Sequence, residues 1–128
     1  MVFCRQHQSS RVRRLEARGV HVCAVGKGAA GLLNPESVIH TLAGLGVMHV
    51  FIEGGGAVSS CFLAAGLVDK MMVFTAPKVL GDVNGLGAFS RLDVKRLADC
   101  YAFRLEETGR VGPDLYMILY SEKRRGGG

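Results

Sequence analysis

The sequence lacks the clustered side chains that a protein metal site requires. Its cysteines are widely spaced, form no C-x-x-C pair and have no H-x-x-x-H spacing near them; they are Cys4, Cys23, Cys61 and Cys100. Structural zinc sites need closely spaced ligands, so we expect no metal. The cysteines are interpreted as small apolar residues. The four histidines are equally scattered, and none is assigned a catalytic role.

Long apolar runs are also missing. No stretch approaches the roughly 20 apolar residues of a membrane-spanning helix. Arg5 lies early in the chain, but the apolar stretch of a signal peptide does not follow it. We therefore expect a cytoplasmic protein with no membrane partner. The 128 residues, 48% of them hydrophobic, suffice for one domain with its own core, predicted over residues 1–121, with a disordered tail at 122–128.

Acidic residues are outnumbered, with 11 Asp and Glu against 16 Lys and Arg, and the excess lies near the two ends of the chain. Basic ends attract phosphate, on a nucleotide or on a nucleic acid. The alternative is a solvated helix face, which is the commoner origin of any single arginine. A nucleic-acid-binding module is the last-ranked hypothesis, because no recognised motif or interleaved aromatic pattern accompanies the charge. No nucleic-acid partner is expected.

The hydrophobic periodicity and the turn residues predict β-α-β-α-β-α-β, followed by a loop and a β-hairpin. Asn34 and Pro35 form a strong helix start, as N-cap and first helical residue, and Gly46 lies where that helix should end. The alternation predicts a three-layer α/β fold with a mixed, mostly parallel sheet and helices on both faces. The predicted strands lie near residues 2–4, 20–25, 47–52, 70–76, 101–107 and 115–120, and the predicted helices near 10–18, 35–45 and 57–65.

One turn in this pattern is suited to bind a ligand. The mostly apolar residues 47–52 predict a strand covered on both faces, which delivers Glu53 at its carboxyl end, where α/β sheets bind ligands. Gly54, Gly55 and Gly56 allow close approach of the backbone, and a helix beginning near Ala57 offers N–H groups to a phosphate. Glu53 is placed to accept hydrogen bonds from ribose hydroxyls or a heterocycle N–H.

The turn alone does not establish a binding site. E-G-G-G matches neither the G-x-G-x-x-G fingerprint nor a P-loop. A tight strand-to-helix turn, whose carboxylate caps the helix, remains the alternative interpretation.

The exact residues around this turn are more specific than the pattern of apolar residues and glycines. Residues 50–81 read V-F-I-E-G-G-G-A-V-S-S-C-F-L-A-A-G-L-V-D-K-M-M-V-F-T-A-P-K-V-L-G. This stretch closely resembles the C-terminal reductase domain of the bifunctional riboflavin-biosynthesis deaminase–reductase. L-E-A-R-G-V at 15–20 and R-V-G-P-D-L at 110–115 extend the resemblance over nearly the whole chain. It implies a dihydrofolate-reductase-like fold.

The resemblance also implies an activity, a cofactor and site residues. The family uses NADPH to reduce the ribosyl group of 5-amino-6-(5-phosphoribosylamino)uracil to ribityl. Glu53 would lie on the substrate side, and Gly54, Gly55, Gly56 and Ala57 would border NADPH. Arg5 and Ser9, or Ser10, would lie near the adenosine 2′-phosphate. No catalytic acid or base is expected, because hydride transfer is the chemistry of the cofactor. A homodimer and a small-molecule substrate are the expected partners.

The chain departs from the family pattern at its front. The family's reductase domain opens with a strand and loop carrying a K-L-A-x-S-x-D-G-type motif, which has no counterpart in these 128 residues. The chain is therefore expected to correspond to the C-terminal part of that domain. The deaminase zinc motif, H-x-E with P-C-x-x-C, is also missing, which excludes deamination. The alternative hypothesis is a non-catalytic, truncated homologue that acts as a dimerising or ligand-binding module.

Overall fold

The computed structural model describes residues 1–5, 10–28, 31–81, 84–85, 87–90 and 92–122. The chain divides into two compact units, Met1–Glu53 and Gly54–Gly128. The elements of the described residues are β1 (Val2–Cys4), α1 (Ser10–Glu16), β2 (Val22–Ala24), α2 (Pro35–Gly44), α3 (Gly56–Ala64), β3 (Lys70–Thr75), a 3₁₀ helix (Leu97–Asp99), β4 (Phe103–Val111) and β5 (Asp114–Ser121).

The first unit is built on a parallel strand pair. β1 and β2 run side by side with Cys4 opposite Ala24, and α1 is part of the crossover that a parallel pair requires. Val12, Val22 and Val25 are its most buried side chains, at 5%, 5% and 4% exposure. The prediction of an amphipathic helix in residues 10–18 is confirmed, since α1 buries Val12 and keeps Arg13 exposed.

Helix α2 begins and ends where its sequence signals indicate. The side-chain oxygen of Asn34 accepts a hydrogen bond from the backbone N–H of Ser37 at 2.8 Å, and Pro35 is the first helical residue. Gly46 follows the helix with φ +80°, a left-handed conformation that glycine adopts at little cost. The predicted helix start and end are confirmed.

Residues 47–52 do not form the predicted strand. They belong to no ladder, and Met48, Phe51 and Val50 are 85%, 77% and 42% exposed. An apolar segment becomes a buried strand only where neighbouring strands supply backbone partners and cover both faces. None of the described residues pairs with this segment, so the prediction of a strand buried on both faces is wrong for this structure.

The second unit contains a three-stranded antiparallel sheet in the order β3-β5-β4. β4 and β5 form the predicted hairpin, whose turn has Gly112 at φ +58° followed by Pro113. A bulge between Leu105 and Glu107 interrupts the ladder on β4. The predicted strand at residues 70–76 is also confirmed, as β3, which pairs Lys70 with Tyr120.

The α/β class is confirmed, but the described ladders are one parallel and two antiparallel, in two separate sheets. The described residues therefore do not themselves form a mostly parallel sheet with helices on both faces. At the C-terminus, Glu122 N–H donates to the Ala102 carbonyl, while the rest of the predicted tail lies outside the described residues. No helix in the described part of the chain is long and apolar enough to cross a membrane.

Candidate functional site

The glycine turn opens helix α3 without a side-chain cap. Gly55 is the N-cap residue, with φ −69° and ψ 165°, a conformation open to any residue. A serine or aspartate here would accept a hydrogen bond from a first-turn N–H group. Glycine cannot, so the N–H groups of Gly56 and Ala57 and the positive end of the helix dipole stay available to an anion, while the Val58 N–H donates to the Gly55 carbonyl at 3.0 Å.

The two flanks of this turn differ. A Cβ atom built on Gly55 meets no atom within 4 Å. A Cβ atom on Gly56 would lie 2.5 Å from the Gly87 carbonyl oxygen and 3.3 Å from that of Ala88. Only glycine permits this second approach, because the crowding atoms belong to the backbone. The turn is therefore open at Gly55 and packed at Gly56.

Ser60 binds the backbone segment that packs against Gly56. Its side chain is 4% exposed, and its hydroxyl oxygen accepts a hydrogen bond from the backbone N–H of Ser90 at 2.8 Å. Gly56 and Ser60 are four residues apart, so they lie on the same face of α3. Residues 87–90, named here the 87–90 segment, pack against that face.

The other predicted site residues are placed as follows. Glu53 is exposed and directly precedes Gly54, and Ala57 is half-buried in the first turn of α3. Arg5 is exposed immediately after β1, in the first unit. Ser9 lies outside the described residues. Residues 54–57 therefore form one continuous turn into α3, whereas Arg5 belongs to the other unit.

Sequence reasoning missed a second basic residue near Arg5. Val25 N–H donates to the Cys4 carbonyl at 3.0 Å, so β1 and β2 end at the same edge of the parallel pair. Lys27 is exposed just beyond that end of β2, after Gly26 turns the chain with φ +72°. The sequence signal that could have identified Lys27 is its position between two glycines, directly after a predicted strand.

Ser60 and the 87–90 segment were also missed. Thirty residues separate Ser60 from Ser90, and no local pattern predicts such a pairing. The described residues contain no group of three or more His, Cys, Asp and Glu side chains that could hold a metal ion.

The α/β fold has counterparts among solved structures. The solved structure of RibD from Acinetobacter baumannii matches with a TM-score of 0.71 at 25% identity, covering 85% of this chain and 28% of that one. The family model described as the RibD C-terminal domain matches residues 1–117. The chain belongs to the RibD C-terminal domain family, which confirms the resemblance found in the sequence.

Two curated relatives show how much of a longer protein the match represents. The riboflavin biosynthesis protein RibD of Aquifex aeolicus is 28% identical over 112 residues, 88% of this chain and 29% of its own length. A protein of Buchnera aphidicola subsp. Acyrthosiphon pisum, named 5-amino-6-(5-phosphoribosylamino)uracil reductase, is 25% identical over 91 residues, 71% of this chain and 44% of its own. The chain spans less than half of the length of either relative.

Proposed function

We propose that this chain is part of an NADPH-dependent reductase that converts the ribosyl group of 5-amino-6-(5-phosphoribosylamino)uracil to ribityl in riboflavin biosynthesis. Membership of the RibD C-terminal domain family supports the proposal. The name of the Buchnera relative gives the same reaction class. The proposal includes a three-layer fold with a mixed, mostly parallel sheet and helices on both faces. It also includes a cytoplasmic location, where NADPH is supplied.

The observation that carries the proposal is the uncapped, one-sided turn at the start of α3. An anionic pyrophosphate fits there, because Gly55 leaves the Gly56 and Ala57 N–H groups uncapped and a Cβ on Gly55 would meet no atom within 4 Å. When bound, NADPH supplies the hydride. The protein residues then have the tasks of binding, orienting and excluding water, which fits a turn that carries no acid or base besides Glu53.

Charged residues complete the proposed assignments. Glu53, exposed and next to Gly54, orients the substrate by accepting hydrogen bonds from ribose hydroxyls or a ring N–H. Arg5, with Ser9, is proposed to bind the 2′-phosphate, since the guanidinium fork pairs with phosphate oxygens. Lys27 adds a second positive charge at the same strand edge as Arg5.

The test is calorimetric titration of NADPH into the 128-residue chain and into two aspartate variants. Gly55→Asp places a carboxylate at the proposed pyrophosphate position, and we expect it to weaken NADPH binding about tenfold or more through charge repulsion. Gly44→Asp is the matched control, because Gly44 is exposed at the end of α2 and a Cβ there meets no atom within 4 Å.

Four outcomes decide between the hypotheses. No NADPH binding by the wild-type chain overturns the proposal, and so does equal weakening in both variants. Binding that Gly55→Asp specifically weakens, together with conversion of the ribosylaminouracil substrate, supports the reductase. Binding without conversion identifies the non-catalytic, ligand-binding homologue instead.

We also propose that the chain forms a homodimer. Among the described residues β3 is an edge strand, its Met72 and Phe74 are 46% and 58% exposed, and its single charged residue is Lys70 at its start. The opposite edge strand, β4, carries a bulge and several charges, which discourage further pairing. The unprotected edge of β3 is therefore the favoured surface for a second copy.

A further inference from the structure

Ser60 occupies an unusual position in α3. Ser60 is the one buried polar residue among the described residues, at 4% exposure. It lies in the middle of α3, whose other buried residue is Leu63. A serine inside a helix commonly bonds to its own backbone one turn earlier. The Ser60 hydroxyl instead accepts from the Ser90 N–H, 30 residues away, at 2.8 Å.

The 87–90 segment meets α3 at two successive points. Its carbonyl groups at Gly87 and Ala88 occupy the place that a side chain on Gly56 would take. One helical turn later, the Ser90 amide is bound by Ser60. Two fixed points on one helix face hold the backbone of the 87–90 segment along the first turn of α3, beside the uncapped glycine turn.

We propose that Ser60 is a positioning residue for NADPH binding: it holds the 87–90 segment as one wall of the site at residues 54–56. This inference rests on the proposed function. Ser60 itself is buried and does not reach the cofactor, so its effect passes through the segment. Removing the hydroxyl leaves the Ser90 N–H without its partner and releases the wall from the turn.

The experiment compares three variants by calorimetric titration with NADPH. Ser60→Ala should weaken binding roughly 5- to 30-fold, the equivalent of one lost hydrogen bond in a buried setting. Ser59→Ala, the same truncation at the adjacent helix position, should bind like the wild-type chain. Ser60→Thr retains a hydroxyl and should recover most of the affinity. Each variant's circular dichroism and melting temperature are recorded alongside.

A second measurement keeps the inference testable if Ser60→Ala does not fold. Hydrogen exchange of the Ser90 amide in the wild-type chain should be slow, and saturating NADPH should slow it further. NADPH slows every amide that exchanges by global unfolding, so the Ser90 amide is compared with an amide of the β4–β5 ladder; a purely structural hydrogen bond would be slowed no more than that reference.

The outcomes separate this inference from the proposed function. If the wild-type chain does not bind NADPH, the proposed function fails, and the inference with it. If the wild-type chain binds, but Ser60→Ala binds equally well or Ser59→Ala is equally weakened, the positioning role is wrong and the proposed function stands. Exchange at Ser90 that NADPH slows no more than the reference amide would also overturn it.

Discussion

Two adjacent glycines at the start of α3 meet different surroundings, and this difference yields a prediction about stability. Gly56→Ala puts a methyl group where the Gly87 carbonyl oxygen lies 2.5 Å away, whereas Gly55→Ala adds it to open space. We expect Gly56→Ala to lower the free energy of unfolding by about 1–3 kcal/mol through overpacking. Gly55→Ala should cost less, at most about 1 kcal/mol, because its only penalty is the preference of an N-cap position for glycine over alanine. Urea unfolding of both variants is the measurement, and equal effects would contradict the described packing.

Tyr116 provides a pH-dependent prediction at the scale of one residue. Its hydroxyl donates to the Glu107 carboxylate, and this hydrogen bond, with desolvation and the nearby negative charge, raises the pKa of Tyr116 above its ordinary value of 10.0. The protonated phenol is thus favoured in the folded state. Its stabilising contribution is complete below the ordinary pKa and is lost as the pH rises through the raised pKa.

The measurement is tyrosinate absorbance as a function of pH. Glu107→Gln should move the Tyr116 titration back toward the ordinary pKa, and the part of the alkaline loss of stability that comes from Tyr116 should shrink. Glu106→Gln is the control, because Glu106 pairs with Arg104 instead. Tyr116→Phe identifies the signal among the three tyrosines. An unchanged titration in Glu107→Gln would show that the carboxylate does not hold the phenol.

The residue scale also shows the limits of reading a site from sequence. Glu53, Gly54 and Gly55 were predicted as site residues because consecutive residues indicate a turn by their own conformational freedom and charge. Ser60 was not found, because its role depends on Ser90, which only the folded chain brings within hydrogen-bond distance. Lys27 stood between two glycines, but only the parallel pairing of β1 and β2 places it at the same edge as Arg5.

At the scale of elements, α2 is the helix whose boundaries its local sequence sets most directly. Asn34→Ala removes the acceptor of the Ser37 N–H, and we expect the free energy of unfolding to fall by about 1 kcal/mol. Asn34→Asp keeps the acceptor and should stay near the wild-type value. Denaturant unfolding compares the two. A loss shared by both variants would mean that the cap does not stabilise the helix through this oxygen.

The same scale explains which elements could be predicted. Local sequence is sufficient for α1 through its periodicity, for α2 through its N-cap and the glycine after it, and for the β4–β5 hairpin through its turn residues. Residues 47–52 are as apolar as a buried strand, yet they pair with none of the described residues and leave Phe51 77% exposed. Composition indicates that a segment can be a strand, but strand formation requires a partner backbone.

At the scale of the whole molecule, the proposed homodimer can be tested on β3. Phe74→Lys places a charge on the unprotected edge strand, and we expect it to shift the chain from dimer to monomer. Leu105→Lys makes a similar change on β4, where the side chain is 53% exposed, and should leave the dimer intact. Sedimentation velocity measures both. A wild-type chain that sediments as a monomer contradicts the proposal, and dissociation by both variants would assign the interface elsewhere.

The sequence by itself determined the family, the α/β class, the helix caps, the closing hairpin and the position of the glycine turn. These depend on residues close together in the chain, or on a long continuous stretch of similar sequence. Tertiary structure alone decided that residues 47–52 are exposed, that the 87–90 segment packs on Gly56, and that Ser60 binds Ser90. Each of these depends on which distant backbone groups meet, and local propensity carries no information about that.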